Sequence, residues 1–205
     1  MRGRNFAALG AVLLLFPVWA HSEVWTIDTP HSSAQFSVRH MMISNVKGGF
    51  TKVTGTVDLD EKDFTQSKVE ATIDATTIDT HEPKRDAHLK SADFFDVAKF
   101  PTITFKSTSV GRGPGGRLRV TGDLTMHGVT KEVVLLVEML SAPVKDKSGT
   151  LHRGTSATTH VNRKEFGMNF NGVLDSGGVM VGDDVAITID VEIYQKPAAP
   201  SGGSN

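Results

Sequence analysis

Apolar and polar residues alternate along most of the chain, the pattern of β-strands that place one face against a core. The final alternating run leads from Val185 to Ile193, with Asp190 and Glu192 on the opposite parity. Shorter or weaker runs are predicted to be strands as well. The strand candidates are residues 24–28, 34–40, 53–59, 69–75, 103–105, 118–126, 129–140, 150–161 and 185–193. The pattern therefore predicts about eight strands, with a tight hairpin turn at His127-Gly128.

Residues 81–101 are the one stretch that interrupts the strand pattern with a convincing helix. Residues 84–92 contain no helix breaker, Pro83 suits the first turn, and Asp79 or Thr80 can cap the helix. Phenylalanines cluster after it, at positions 94, 95 and 100. A helix that carries aromatic residues next to strands is expected to plug or wall an apolar cavity.

The order of these elements favours an antiparallel sheet that closes on itself. Long helices do not separate the strands, so a parallel sheet is disfavoured. Closure into a barrel removes the unpaired edges of an open sheet. A barrel of about eight strands can be filled by its own side chains or can hold one small ligand, and the alternation alone leaves both possibilities open.

The two ends of the chain are predicted to lie outside this domain. Arg2 and Arg4 precede an apolar run that ends in Val18-Trp19-Ala20, the features of a secretory signal peptide cleaved after residue 20. An uncleaved anchor is the alternative, but the run is shorter than the roughly 20 residues a membrane span needs. Residues 21–196 are then the domain, and the Pro-, Gly- and Ser-rich residues 197–205 are predicted to be disordered.

Charge and cysteine content narrow the function classes. The formal net charge is −1, and removal of the signal peptide with Arg2 and Arg4 makes it more negative by two. A mildly acidic domain without a basic patch argues against nucleic acid as a partner. The sequence contains no cysteine, which excludes disulfides and a lipidated N-terminal cysteine. These features fit a soluble periplasmic or extracellular protein without a membrane span in its mature form.

Several motifs, in one order, resemble those of the YceI-like family. The resemblance runs from about residue 24 to residue 196. The strongest match is RDAHLKSADFFD at residues 85–96, followed by Phe100-Pro101. The others are WTID at 25–28 with His31-Ser32, FSVRH at 36–40, VKGGF at 46–50, GDLTMHGVT at 122–130 and NRKEFGM at 162–168. The family often has an aspartate-type residue where Glu165 stands, which is a conservative difference.

The resemblance implies a fold and a function that the alternation alone does not give. It implies a lipocalin-like extended antiparallel β-barrel, soluble in the periplasm, that binds a polyisoprenoid or a fatty-acid-like amphiphile and often forms a homodimer. The expected role is to carry or sequester the lipid, without a cofactor and without catalysis. The side chains expected to line the lipid tunnel are Phe36, Val38, Met42, Phe50, Phe94, Phe95, Phe100, Phe105, Met126, Phe166 and Phe170.

Two other functions are also compatible with the sequence. One is an enzyme that acts on a lipid, and the other is a filled barrel that serves as an extracytoplasmic stress or interaction protein. A triad of Ser32, His40 and Asp86 can be imagined, but the sequence contains no G-x-S-x-G elbow.

Histidine and arginine residues suggest two further kinds of site, a metal site and a contact with a lipid head group. His81 and His88, with nearby acidic residues, suggest a metal site, but seven residues place them two helical turns apart, too far for one ion. His127 is expected to face solvent. Arg39, Arg85 and Arg163 are expected to hold the structure together, with contact to a lipid head group as the alternative.

Overall fold

Twelve antiparallel strands and one α-helix make up the part of the chain that the structure describes, residues 23–172 and 178–196 of a computed structural model. The predicted signal peptide (1–20) and disordered tail (197–205) lie outside these residues. The strands are β1 Glu23–Ile27, β2 Ser33–His40, β3 Ser44–Phe50, β4 Val53–Leu59, β5 Lys68–Asp74, β6 Ile78–Asp79, β7 Thr102–Arg112, β8 Leu118–Met126, β9 Val129–Val137, β10 Val144–Lys145, β11 Leu151–Asn162 and β12 Val181–Gln195. The α-helix is α1, Pro83–Lys90, and 3₁₀ turns occupy Thr29–His31, Phe64–Gln66, Ala75–Thr77, Pro114–Gly116 and Arg163–Phe166.

Eight of these strands close into a ring. They pair in the order β11-β9-β8-β7-β5-β4-β1-β12, and β12 pairs with β11 to complete the circle. The ring confirms the predicted antiparallel barrel of about eight strands. The remaining strands extend it: β2, β3 and β6 continue the sheet from β12, and β10 forms a short hairpin with β11.

The fifteen-residue strand β12 holds the ring and its extension together. One edge of β12 pairs with β11 from Asp184 to Gln195, which covers the whole length of β11. Its other edge pairs first with β2 and then with β1, near Ile193 and Tyr194. Alternate residues of β12 face the inside of the ring, as the sequence alternation predicts.

The β8–β9 hairpin follows directly from local backbone preferences. His127 and Gly128 both have positive φ, 52° and 75°. Two successive residues with positive φ form a turn whose twist matches that of the flanking strands. The predicted tight turn is therefore confirmed, and Met126 pairs with Val129 across it.

The helix is shorter and capped differently from the prediction. Glu82 is the N-cap, and its carboxylate accepts hydrogen bonds from the backbone N–H groups of Lys84 and Arg85. Thr80 does not cap, because its side chain and backbone are bonded to Asp86 and Arg85. The helix ends at Lys90, two residues before the expected end, since the Ser91 hydroxyl and N–H both donate to the carbonyl of His88. Residues 91–100 form turns.

Large apolar side chains of the ring strands and of the segments that connect them form the buried core. Trp25, Leu59, Phe166 and Ile193 are the largest fully buried side chains. Phe166 is buried beneath the turn at Arg163–Phe166. Beside this core, the ring encloses an open space.

Candidate functional site

An apolar cavity of about 460 Å³ lies inside the ring. Every strand of the ring contributes to its wall. Its volume lies within the range of small-molecule pockets, roughly 300–1,000 Å³. The aliphatic part of the wall includes Val57, Leu59, Ala71, Ile73, Ile103, Val120, Leu124, Leu135, Ala157, Ile187, Ile189 and Val191. These residues come from the inward parity of their strands, so the alternation that predicts the strands also accounts for the apolar wall.

Aromatic side chains form the part of the wall next to α1. The Phe95 ring meets the Phe50 ring edge to face, with centroids 5.5 Å apart, and Phe50 lies 6.2 Å from Phe36. The Phe94 and Phe170 rings lie 5.1 Å apart. Of the eleven residues predicted to line a tunnel, the structure places these on the cavity wall: Phe36, Val38, Phe50, Phe94, Phe95, Phe105, Met126 and Phe170. That they contact a lipid stays a prediction.

The other three predicted residues do not line the cavity, which corrects the predicted set. Met42 lies in the turn between β2 and β3, where its side chain is half exposed. Phe100 packs against the His127 ring, 5.1 Å away, and against Gly128 at the β8–β9 turn. Phe166 is buried in the core beneath its own turn. An aromatic residue in the sequence does not reveal whether it faces the cavity or packs elsewhere.

One end of the cavity carries polar side chains, among them Arg39, Arg85, His88 and Arg163. Direct contacts link three of these residues, Arg39, His88 and Arg163. The Arg39 side chain packs over Gly182, and Arg163 donates to the carbonyl of Gly182 at 2.9 Å. Arg163 also donates to the carbonyl of Phe170 at 2.8 Å, whose ring lies 4.7 Å from that of His88. We call this end, defined by these four residues, the polar end.

Arg163 is a structural residue. Its side chain is 4% exposed, and its guanidinium donates to the carbonyls of Gly182, Met168, Phe170 and Val181 and to the Asp183 carboxylate. Burial lowers the pKa of Arg163, while the Asp183 charge opposes that shift. Because these bonds use its donor capacity, Arg163 fixes the turn after β11 to the start of β12.

Within residues 23–172 and 178–196, the hydrogen bonds of Arg39 and Arg85 leave some of their donors unused. Arg39 donates to the Asn45 side chain and to the carbonyl of Met42, and Arg85 donates to the hydroxyl and the carbonyl of Thr80. A guanidinium carries five N–H groups, so each has donors beyond these bonds. The polar end can therefore bind an anionic or hydrogen-bonding group of a ligand.

The histidines near α1 do not form the metal site that was considered. His88 Nε2 lies 2.8 Å from the Asp93 carboxylate, while the His81 side chain points into solvent beside Asp79. His127 does not face solvent as expected, because its Nδ1 bonds to the carbonyl of Phe166 at 3.0 Å. That bond holds the β8–β9 turn against the turn at Arg163–Phe166.

The imagined catalytic triad is not assembled. The Ser32 hydroxyl bonds to the backbone of Glu192, and the Asp86 carboxylate bonds to Thr80. Ser32 and Asp86 therefore have separate structural partners.

The YceI-like domain family matches residues 25–193. This match covers most of the sequence and all of the ring except the first two residues of β1 and the last two of β12. The chain belongs to the YceI-like family. A UPF0312 protein of Staphylococcus aureus (strain N315) is 39% identical to this YceI-like chain over 168 residues, which are 82% of this chain and 95% of that protein.

Solved structures share the fold of this YceI-like protein. The YceI protein of Campylobacter jejuni is 31% identical, with a TM-score of 0.63 over 78% of this chain and 90% of that one. A polyisoprenoid-binding domain from Saccharophagus degradans, implicated in plant cell wall breakdown, has a TM-score of 0.59 at 15% identity, over 84% and 98% of the two chains. At that identity the likeness shows the fold alone.

Helix α1, Pro83–Lys90, is the one α-helix in the described part of this YceI-like chain. Within residues 23–172 and 178–196, no helix has the length and apolar character to cross a bilayer.

Proposed function

We propose that this protein binds a polyisoprenoid or a similar long-chain amphiphilic lipid in the cavity, and carries or sequesters it without a chemical reaction. The observation that carries the proposal is the continuous apolar wall inside a closed ring. Each buried CH₂ group contributes about 0.8 kcal/mol, so an apolar chain inside this wall is held mainly by burial. The polyisoprenoid that the S. degradans domain binds is an example of the ligand class that this fold can hold.

The polar end supports an orientation for such a lipid. An amphiphile is bound with its chain along the apolar wall and its head at Arg39 and Arg85, whose bonds to other described residues leave donors unused. A guanidinium binds phosphate or carboxylate through paired N–H groups. We therefore expect an anionic head to be preferred over a neutral one of the same chain length.

The proposed cellular setting follows from the sequence. Residues 1–20 have the features of a cleaved signal peptide, so the domain is proposed to act in the periplasm. A homodimer is part of the same proposal, and light scattering coupled to size-exclusion chromatography measures it. A mass equal to one chain at all concentrations would exclude the dimer.

The lipid is tested by mass spectrometry of extracts from gently purified protein. Ala157 and Thr158 offer a matched pair of variants on β11: Ala157 lines the cavity, while Thr158 is exposed on the outer face. Ala157→Phe places a ring in the cavity and is expected to remove most of the bound lipid. Thr158→Phe adds the same ring outside and is expected to leave the lipid in place.

The outcomes distinguish the competing functions. Wild-type extracts that repeatedly contain no lipid above those of an unrelated barrel would refute the carrier proposal and favour a filled barrel. A bound lipid whose mass changes during incubation would favour a lipid-modifying enzyme. Circular dichroism of both variants establishes that loss of lipid is not loss of fold.

A further inference from the structure

Five ionisable side chains meet on the outer face of the ring, where β1, β12 and β11 run side by side. They are Asp28, His31, Asp146, His152 and Glu192. Ile27 and Ile193, next to Asp28 and Glu192 in the sequence, line the cavity on the inner face. Because successive strand residues point to opposite faces, this cluster lies outside the lipid cavity and is independent of it.

Three members of the cluster converge closely enough to hold one ion. One atom each from Asp28, His152 and Glu192 lie within 4.8 Å of one another. His152 Nδ1 and Glu192 Oε1 are 2.8 Å apart. These side chains are only 16%, 26% and 34% exposed, so they are partly withdrawn from water. In the described part of the chain, this is the one such group of three His, Cys or acidic residues.

The surrounding residues hold these three side chains in position. The backbone N–H of Asp28 donates to the carbonyl of Glu192 at 2.8 Å, and the Ser32 hydroxyl bonds to the backbone N–H and carbonyl of Glu192. His31 Nδ1 lies 3.0 Å from Asp28 Oδ2. The geometry is thus fixed by three strands and a 3₁₀ turn rather than by one mobile loop.

His152 is also oriented from its far side. Its Nε2 lies 3.5 Å from the Asp146 carboxylate, which accepts hydrogen bonds from the backbone N–H groups of Ser148 and Thr150. A histidine that binds a metal through one ring nitrogen usually donates from the other to a carboxylate or carbonyl. Asp146 is placed for that role, with Nδ1 left for the ion.

The negative charge of the cluster favours the binding of a cation. Three carboxylates, those of Asp28, Asp146 and Glu192, face the two imidazoles of His31 and His152. A cation between Asp28, His152 and Glu192 would offset the negative charge of the carboxylates. Mixed imidazole and carboxylate donors suit Zn²⁺ and neighbouring transition metals better than Mg²⁺ or Ca²⁺.

We infer that Asp28, His152 and Glu192 form a binding site for a divalent transition-metal ion of the Zn²⁺ type. His31 is positioned to supply a fourth donor or to orient Asp28, and Asp146 orients His152. The ion would join β1, β12 and β11 on the outside of the ring, at the point where the first and last described strands pair.

The competing explanation is that His152 and Glu192 form an ordinary ion pair and bind no metal. The chain contains a second His–acid pair that serves as a matched control. His160 and Asp184 lie on the same two strands, β11 and β12, with His160 Nδ1 2.9 Å from Asp184 Oδ2. That pair is exposed on both sides and was not found in a three-ligand group among the described residues. A site that needs convergence should therefore depend on His152 but not on His160.

The test is isothermal titration of ZnCl₂ into untagged full-length protein that has been treated with a chelator. Wild-type protein is expected to bind one Zn²⁺ per chain, and Ca²⁺ and Mg²⁺ more weakly. Asp28→Asn and Glu192→Gln are expected to lower Zn²⁺ affinity at least tenfold. Asp146→Asn should lower it by about 10- to 100-fold, the usual effect of losing an orienting carboxylate, and His160→Ala should leave it unchanged.

A measurement on wild-type protein keeps the inference testable if a variant does not fold. Histidine ¹⁵N NMR during the Zn²⁺ titration is expected to move the Nδ1 signal of His152 and leave that of His160 in place. No stoichiometric Zn²⁺ binding by the wild type, or equal loss of affinity in the His160→Ala and Glu192→Gln variants, would overturn the inference.

Discussion

Gly122 on β8 shows how a single missing side chain shapes the cavity wall. A Cβ at this position would lie 2.5 Å from the Phe105 ring and 2.5 Å from the carbonyl oxygen of Lys106. Both distances are too short for any side chain, and one of the two neighbours is backbone. The absence of a side chain at Gly122 therefore leaves the room that Phe105 occupies on the cavity wall.

Gly122→Ala is expected to lower the free energy of unfolding by about 1–3 kcal/mol, the usual cost of overpacking. Gly111→Ala on β7 is the control, because nothing lies within 4 Å of the Cβ it would add. Urea unfolding of both variants measures the difference. Equal stability of the two variants would mean that Phe105 moves away at no cost.

Asp74 combines a capping role with a predictable response to pH. Its carboxylate accepts from the N–H and hydroxyl of Thr76 and lies 3.2 Å from Lys52 Nζ. The Thr76 hydrogen bond is the main cause that lowers the pKa of Asp74 below its ordinary value of 3.8, followed by the bond to Lys52. A lowered folded-state pKa means that the ionised form stabilises the fold above pH 3.8 and that this contribution is lost as pH falls through the folded-state pKa.

Asp74→Ala is expected to lower the free energy of unfolding by about 1 kcal/mol at pH 7, as for the loss of other capping side chains. At pH 3, below the ordinary pKa of 3.8, the gap between wild type and variant should be narrower, because the stabilisation by the ionised carboxylate is lost progressively as the pH falls below that ordinary pKa. Urea unfolding at both pH values measures it. Asp190→Ala, at an exposed strand position, is the control, and a gap that does not change with pH would contradict the explanation.

Among the elements, α1 and the turns after it are our candidate for the gate, the segment at the polar end that moves when the lipid enters or leaves the cavity. The segment is joined to the wall by aromatic pairs, Phe94 with Phe170 and Phe95 with Phe50. Each such pair contributes about 0.5–1.5 kcal/mol beyond its buried area. Helix α1 itself buries none of its residues fully, and its own contacts with the wall include Leu89 and the His88 ring, which lies 4.7 Å from the Phe170 ring.

The Phe94→Ala/Phe95→Ala double variant is expected to speed lipid exchange by about 5- to 100-fold, because loss of both pairs removes about 1–3 kcal/mol. Transfer of a fluorescent fatty acid to acceptor vesicles measures the rate. Phe100→Ala removes the same ring from outside the cavity and should leave the rate unchanged. Unaltered exchange in a folded double variant would exclude this segment as the gate.

At the same scale, the strands were predictable and the ends of the helix were not. Strands 34–40, 53–59 and 118–126 agree with the structure to within one residue at each end, because the period-two alternation sets them directly. The cap at Glu82 was missed since Thr80, a better capping residue by type, is bonded to Arg85 and Asp86. Such tertiary competition is not visible in local sequence.

The residues of the cavity wall were only partly predictable, because their positions also depend on tertiary structure. Aromatic residues were chosen for their size, and Phe100 and Phe166 proved to pack against the β8–β9 turn and the core instead. Aliphatic residues such as Ile187 and Val191 were assigned only to strands. Which inward residues surround empty space, and which fill it, depends on the diameter of the ring, and the sequence pattern does not give that diameter.

At the scale of the whole molecule, an occupied cavity should stabilise the fold. A ligand at 100 times its Kd contributes about 2.7 kcal/mol of folding free energy. For a chain of this size, 1 kcal/mol changes Tm by about 2–4 °C. The apolar wall that would otherwise face water or empty space is the physical reason.

Solvent-extracted and refolded protein is therefore expected to melt about 5–10 °C below gently purified protein. Differential scanning calorimetry measures the difference, and return of the extracted lipid should restore the original Tm. The Ala157→Phe variant provides the comparison, since its Tm should not respond to extraction. A wild-type Tm that is indifferent to extraction and to added lipid would argue against an occupied cavity.

The pairing of β1 with β12 has a kinetic consequence. Thr26 pairs with Tyr194, so the ring closes through residues from opposite ends of the described chain. Closure has to await the last strand, and the loop that it joins contains almost the whole domain. Contacts of such long sequence separation slow folding. Until β12 arrives, β1, β2 and β11 expose unpaired edges, so the newly made chain passes through a period in which it is open to aggregation and to chaperones.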